Sequence, residues 1–149
     1  IKGVWNTTKA CLPYMLDQGG GNVVVMSSVT GDIVADPGEV AYALSKAALI
    51  GFTKALAVEY ADQNIRCNAM QLGYALTPMA ESIAKQSRPD DPASALVDMA
   101  KAIPMKLLCK PTEVGELAAF LGSDESSYIT GAQFVIDGGS TLPESVMGV

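Results

Sequence analysis

Apolar positions along this chain keep two different rhythms, and the alternation between them predicts its architecture. Over residues 4–16, Val4, Trp5, Leu12, Met15 and Leu16 are apolar, with Ala10 and Cys11 between them. That spacing predicts an amphipathic helix, and "GGG" at 19–21 stops it. "NVVVM" at 22–26 is a short unbroken apolar run, which suits a strand covered on both faces of a parallel sheet. A loop rich in Gly, Asp and Pro follows, to about residue 38. From Glu39 to about Asp62 the composition turns to Ala, Leu, Lys and Glu without proline, which predicts a long helix.

"IRCNAM" at 65–70 reads as a second strand, and "GYALTPM" turns the chain. Residues 78–104 read as short helices broken by Pro89, Pro92 and Pro104. "PTEVGELAAFLGS" at 111–123 has proline near its start and glycine near its end, a helix signature. "AQFVIDGG" at 132–139 reads as a last strand and turn. Strand, helix, strand, helix, strand predicts an α/β fold: a doubly wound parallel sheet of three strands with flanking helices. With no internal repeat, low-complexity tract or linker, residues 1–149 read as a single unit.

Composition narrows the chemistry. Of 149 residues 49% are hydrophobic and 17% charged, which predicts a globular chain with a sizeable core. The net charge is −6 and the basic residues are scattered, so no nucleic-acid partner is expected. No signal peptide is visible and no apolar run approaches the ~20 residues of a membrane helix, so no membrane partner is expected either. Three cysteines in no paired spacing read as reduced thiols, hence a cytoplasmic protein.

Histidine is absent, which removes Ser-His-Asp and Cys-His nucleophiles and most zinc sites. Asp90-Asp91 and Asp124-Glu125 read as solvated loop and cap carboxylates, so no metal is expected. "SIAK" at 82–85 matches Ser-x-x-Lys, but Lys-Thr-Gly and Ser-Asp-Asn are missing. "GGGN" at 19–22 precedes a strand, whereas phosphate loops follow one, so it is a helix stop.

The candidate chemistry lies in "AYALSKAAL", residues 41–49. Tyr42 and Lys46 fall one turn apart on one helix face. A phenol is a poor acid and base at neutral pH, and a neighbouring ammonium favours its ionised form. That suits general acid–base catalysis. Ser28 sits just past the first strand's carboxyl end, where open α/β sheets bind ligands. The three side chains can therefore converge on one crevice, Ser28 polarising a substrate oxygen. A surface lysine beside a half-buried tyrosine accounts for the same pair equally well.

"MSSVTGDIVADPGEVAYALSK" resembles the active-site stretch of the short-chain dehydrogenase/reductase family, a serine followed a dozen or so residues later by Tyr-x-x-x-Lys. "IRCNAMQLGYALTPM" resembles that family's Asn-x-x-x-Pro-Gly-x-x-x-Thr cofactor segment, and "ITGAQFVIDGG" its closing strand. The resemblance runs along essentially the whole chain. It implies the carboxyl-terminal portion of an NAD(P)-binding Rossmann domain. The active-site strand and helix would be 22–62, the cofactor turn 68–77, the substrate lid about 78–104, and the closing helix and strand 111–139.

It implies further that Tyr42 is the proton donor, that Lys46 tunes it and binds the nicotinamide ribose, and that Ser28 orients the substrate. Ser28 is preferred to Ser27 because the family's serine precedes a Val-x-Gly step, here Val29-Thr30-Gly31. Gly73, Ala75 and Thr77 would contact the nicotinamide and pyrophosphate, Ala75 through its backbone. Methionines fill cores by default, but in the lid Met79 would touch substrate. The implied activity is hydride transfer between NAD or NADP and a small alcohol or carbonyl compound, in a homo-oligomer, dimer or tetramer.

Three departures stand out. Leu72 replaces the family's proline, and the Ser28–Tyr42 interval is a residue longer than its commonest form. The glycine-rich dinucleotide fingerprint and the Asn-Asn-Ala-Gly stretch are missing. With Ile1 reading as mid-helix, the expectation is a carboxyl-terminal part lacking roughly a hundred residues of such a domain. The rival expectation is an inactive fragment that keeps only folding and oligomerisation surfaces, the helices at 4–16 and 39–62.

Overall fold

The computed structural model describes residues 1–144; of the unit expected over 1–149, residues 145–149 lie outside the described part. Helix α1 (Lys2–Asp17) stops where the glycines begin. Gly20 donates its N–H to the Met15 carbonyl at 2.9 Å, and Gly19 takes φ +82°, a turn that glycine adopts without strain. The chain then enters β1 (Gly21–Ser28). Helix α2 (Val40–Tyr60) leads through a 3₁₀ turn to β2 (Ile65–Leu72), and α5 (Pro111–Gly122) precedes β3 (Gln133–Ile136).

All three strands are parallel, in the order β1-β2-β3. Ser28 lies opposite Leu72, and Leu72 opposite Ile136. Alternate side chains of each strand face opposite ways, and both faces are covered. Val25, Cys67 and Ala69 pack under Leu49, Ile50, Leu56 and Ala57 of α2, with Val4 and Leu12 of α1 at the margin. On the other face Met70, Val24, Phe134 and Ile136 meet Val114 and Leu121 of α5. Leu72, where a proline was expected by resemblance, adds its side chain to this second layer. The doubly wound reading holds.

Cys67 is fully buried, and burial pushes its thiol up to about 11. It is a protonated core residue. Helix α2 with the 3₁₀ turn through Gln63 is long and apolar enough to cross a membrane by length and composition. A helix that covers a sheet passes the same test, and Leu49, Ile50, Thr53, Leu56 and Ala57 of α2 are buried.

The proline-broken segment forms α3 (Pro78–Ser87) and α4 (Pro92–Ala102), which pack chiefly on each other. Thr77 and Asp91 cap them, each followed by a proline at the first helical turn. Arg88 and Lys101 both reach Asp98, at 2.7 and 3.0 Å. Hydrogen bonds from Lys101 and then Arg88 hold this exposed carboxyl below its ordinary range.

Candidate active site

The end of β1 is stitched to α2. Ser27 Oγ donates to the Lys46 carbonyl at 2.9 Å, so the strand end and the Lys46 turn are held together. Between them runs Gly31, at φ +106°, where a Cβ would stand 2.4 Å from the Ala43 carbonyl oxygen and 3.1 Å from the Ala47 nitrogen. Only glycine allows this approach. Gly31→Ala adds a strained left-handed conformation to a clash with helix backbone. It should destabilise the fold by about 2 kcal/mol or more, read from urea unfolding of the variant beside the parent.

Ser28 is buried, and its Oγ accepts from the Thr30 N–H at 3.1 Å. The hydroxyl's own proton faces the Leu72 carbonyl at 3.4 Å, a long and weak bond that a ligand oxygen can replace. Tyr42 is 41% exposed, and no hydrogen bond among the described residues engages its hydroxyl. Lys46 Nζ lies 5.6 Å from the Tyr42 ring centroid. The ammonium also donates to the Met26 carbonyl at 3.2 Å. Because Val29 N–H donates to the Leu72 carbonyl, odd-numbered residues of β1 turn their polar groups to β2. The Met26 carbonyl therefore belongs to the strand's outer edge, which has no strand beside it among the described residues.

A second wall rises from β2. Gly73 donates to the Ile136 carbonyl at 3.0 Å, and a Cβ there would stand 2.8 Å from Asp137 Cβ. Ala75 bridges to Cys109. Its two flanking bonds belong to its neighbours: Cys109 N–H to the Tyr74 carbonyl at 3.0 Å, and Leu76 N–H to the Cys109 carbonyl at 2.8 Å. The N–H and C=O of Ala75 therefore point the other way, and no backbone bond among the described residues uses them. Thr77 Oγ1 is occupied, accepting from the Ala80 N–H at 3.3 Å as the cap of α3. Met79 follows on the first turn of α3 and is exposed.

The expected residues thus gather at the carboxyl ends of two adjacent strands. Ser28, Tyr42 and Lys46 surround the end of β1, while Gly73, Ala75 and Thr77 follow the end of β2. A nicotinamide dinucleotide fits this donor set at two points: the Ala75 backbone donor–acceptor pair, unused among the described residues, and the Lys46 ammonium. Among the described residues no group of three or more His, Cys, Asp or Glu could hold a metal ion.

Sequence reading missed two supports. Gln71 is buried and donates to Asp32 Oδ2 at 2.9 Å, tying the loop after β1 to the end of β2. Asp137 holds the turn behind Gly73. Its carboxylate accepts from the Gly139 N–H (2.8 Å), the Ser140 hydroxyl (3.1 Å), and the Thr141 N–H (2.9 Å) and hydroxyl (2.8 Å). Partial burial alone would raise its pKa, but the bonds from Thr141, Gly139 and Ser140 prevail and hold it below the ordinary range. The "DGG" after the last strand marks a turn; it does not reveal what the turn presses against.

The sign of the pH effect follows from that lowered carboxyl. Its stabilisation is present above the ordinary carboxyl range of about 4 and is lost as pH falls through the folded value. Asp137→Ala should cost about 1 kcal/mol at neutral pH, with the gap to the parent closing in acid. Urea unfolding at both pH values measures it.

The sequence matches the family described as enoyl-(acyl carrier protein) reductase over residues 1–141. It is 71% identical over 146 residues to the oxidoreductase UcpA of Salmonella typhimurium, covering 98% of this chain and 56% of that protein. To 3-oxoacyl-(acyl-carrier-protein) reductase FabG of Thermotoga maritima it is 45% identical over 142 residues, 95% of this chain and 54% of that one. Among solved structures, the ligand-free aldohexose dehydrogenase of Thermoplasma acidophilum superimposes with a TM-score of 0.88 at 34% identity, over 94% of this chain and 55% of that chain. A levodione reductase does so at 0.87 and 35%, over 95% and 54%. The chain spans about half the length of the curated relatives it matches.

Proposed function

From its place in the short-chain dehydrogenase/reductase family, to which this chain belongs, we propose that it carries the proton-transfer half of an NAD(P)-dependent oxidoreductase site. The substrate is a small alcohol or carbonyl compound. A nicotinamide, when bound, supplies or takes the hydride.

The chain's own residues do the rest. Ser28 holds the substrate oxygen with the hydroxyl proton it now directs weakly at Leu72. Tyr42 gives its phenolic proton to that oxygen, and takes one back in the reverse direction. Lys46 sets its ammonium beside the Tyr42 ring and binds ribose hydroxyls once that ammonium leaves the Met26 carbonyl. Ala75 holds the nicotinamide amide through its backbone, Gly73 lets the cofactor approach, and Thr77 adds to the pyrophosphate side. Helices α3 and α4, from about 78 to 104, form the substrate lid, with Met79 facing substrate. We take residues 1–149 as a single unit, the carboxyl-terminal portion of a Rossmann domain in a cytoplasmic homo-oligomer.

One observation carries this reading: a phenol with a free hydroxyl, its ring 5.6 Å from a lysine ammonium, at the ligand-binding edge of a parallel sheet. The test is loss of dihydronicotinamide absorbance when the full-length protein meets a panel of ketones and aldehydes with NADH or NADPH. Turnover with at least one carbonyl is expected; a panel without any would leave the site unsupported. The 149-residue chain by itself should not turn over, because the strand edge beside Lys46 is open.

A further inference from the structure

Behind the Gly73–Thr77 turn lies a pocket of about 210 Å³ that no assigned role uses. Met105, Leu107 and Ile136 form its apolar wall, and Tyr74 and Cys109 close one side. The charged groups that line it are the carboxylates of Glu113 and Asp137, with no cation among them. Lys106, between two lining residues, is turned away, its Nζ donating to the Lys101 carbonyl at 2.7 Å.

Asp137 is saturated by its own turn, and Glu113 accepts from the Lys110 N–H at 2.6 Å. Tyr74 is the lining residue that belongs to the Gly73–Thr77 turn. It is 48% exposed, and its hydroxyl has no hydrogen bond among the described residues. Burial and then the charges of Asp36 and Glu39, on the loop that leads into Tyr42, raise its phenol. Burial, then Glu113, likewise raises the Cys109 thiol.

We propose that this pocket receives the uncharged apolar part of the substrate, a ring or short branched chain, and that its carboxylate surround rejects substrates carrying an anionic group there. This rests on the oxidoreductase reading for the word substrate; the binding itself does not. Size agrees, since an apolar cavity of about 150 Å³ already accepts a benzene ring. Charge agrees too. A carboxylate brought beside Glu113, with no cation lining the wall, gains no ion pair and loses its hydration. The Tyr74 hydroxyl is the polar handle at the mouth.

Cys109 reports occupancy without any turnover. Its alkylation by iodoacetamide at mildly alkaline pH is followed by mass spectrometry of its peptide, in the protein alone, with cyclohexanone, and with 4-oxocyclohexanecarboxylate. Cyclohexanone well above its Kd should slow alkylation by about fivefold or more; the carboxylate at the same concentration should leave it unchanged. Leu107→Trp, a filling change at a half-exposed position, should abolish the protection. Glu113→Gln, which keeps the helix cap's acceptor, should let the carboxylate protect. No protection by cyclohexanone, or equal protection by both ligands in the parent, overturns the proposal. Failure of the oxidoreductase reading looks different: the full-length protein would turn over no carbonyl of the panel while Cys109 protection stood.

Discussion

Tyr42→Phe is expected to lower turnover by about 10²–10⁴-fold in the full-length protein, while nicotinamide binding changes little. The substitution removes one oxygen and nothing else. That oxygen makes no hydrogen bond among the described residues, so no structural partner is orphaned. The ring, which packs near the Lys46 ammonium, stays. Lys46→Ala should differ in kind. It removes the charge beside the phenol and the group offered to ribose, so turnover and cofactor binding should fall together. Steady-state kinetics and cofactor titration by fluorescence separate the two patterns. A Tyr42→Phe protein with parental turnover would remove Tyr42 from the mechanism.

The second large effect concerns the 149-residue chain alone, which should self-associate through β1. The outer edge of that strand has no strand beside it among the described residues, and even-numbered residues from Asn22 to Ser28 direct their N–H and C=O groups there. On that strand Met26 is exposed. A Val-rich edge whose one charged neighbour is the Lys46 ammonium on the Met26 carbonyl is still a template for other chains. Met26→Glu therefore adds a charge at the edge without emptying the core. Light scattering should show association that the variant reduces. A parent chain that stays monomeric and unfolds cooperatively would mean the edge is protected by other means.

Much of this fold was legible because the apolar run of β1, the helix-forming composition of α2 and the prolines that open α3, α4 and α5 each point to the element observed. β1 and β2 nevertheless run past their apolar runs, to Ser28 and Leu72. Ser27 and Gln71 are polar yet buried, satisfied by the Lys46 carbonyl and by Asp32. Periodicity cannot announce that a polar residue will find its partner across the sheet. The Tyr42–Lys46 face was legible for the opposite reason: four-residue spacing on a helix is local geometry.

The supports were not legible. Gly31 matters through a helix carbonyl twelve residues on, and Asp137 through Gly73, just past the end of another strand. The pocket joins Tyr74, residues 105–113 and the end of β3, segments that only the tertiary fold brings together. The resemblance implies a cofactor contact for Thr77, whereas in the structure its hydroxyl caps α3, a use that its position before Pro78 could have signalled.

The most direct test of the account is isotopic. The full-length protein is supplied with a turned-over ketone and NADH or NADPH carrying deuterium on the transferable position of the nicotinamide, and the alcohol product is weighed. Hydride transfer at this site, with the proton from Tyr42, predicts one deuterium on the former carbonyl carbon and none on the oxygen after exchange with water. Product formed without that deuterium would contradict the account, because the carbon would have been reduced from some other source.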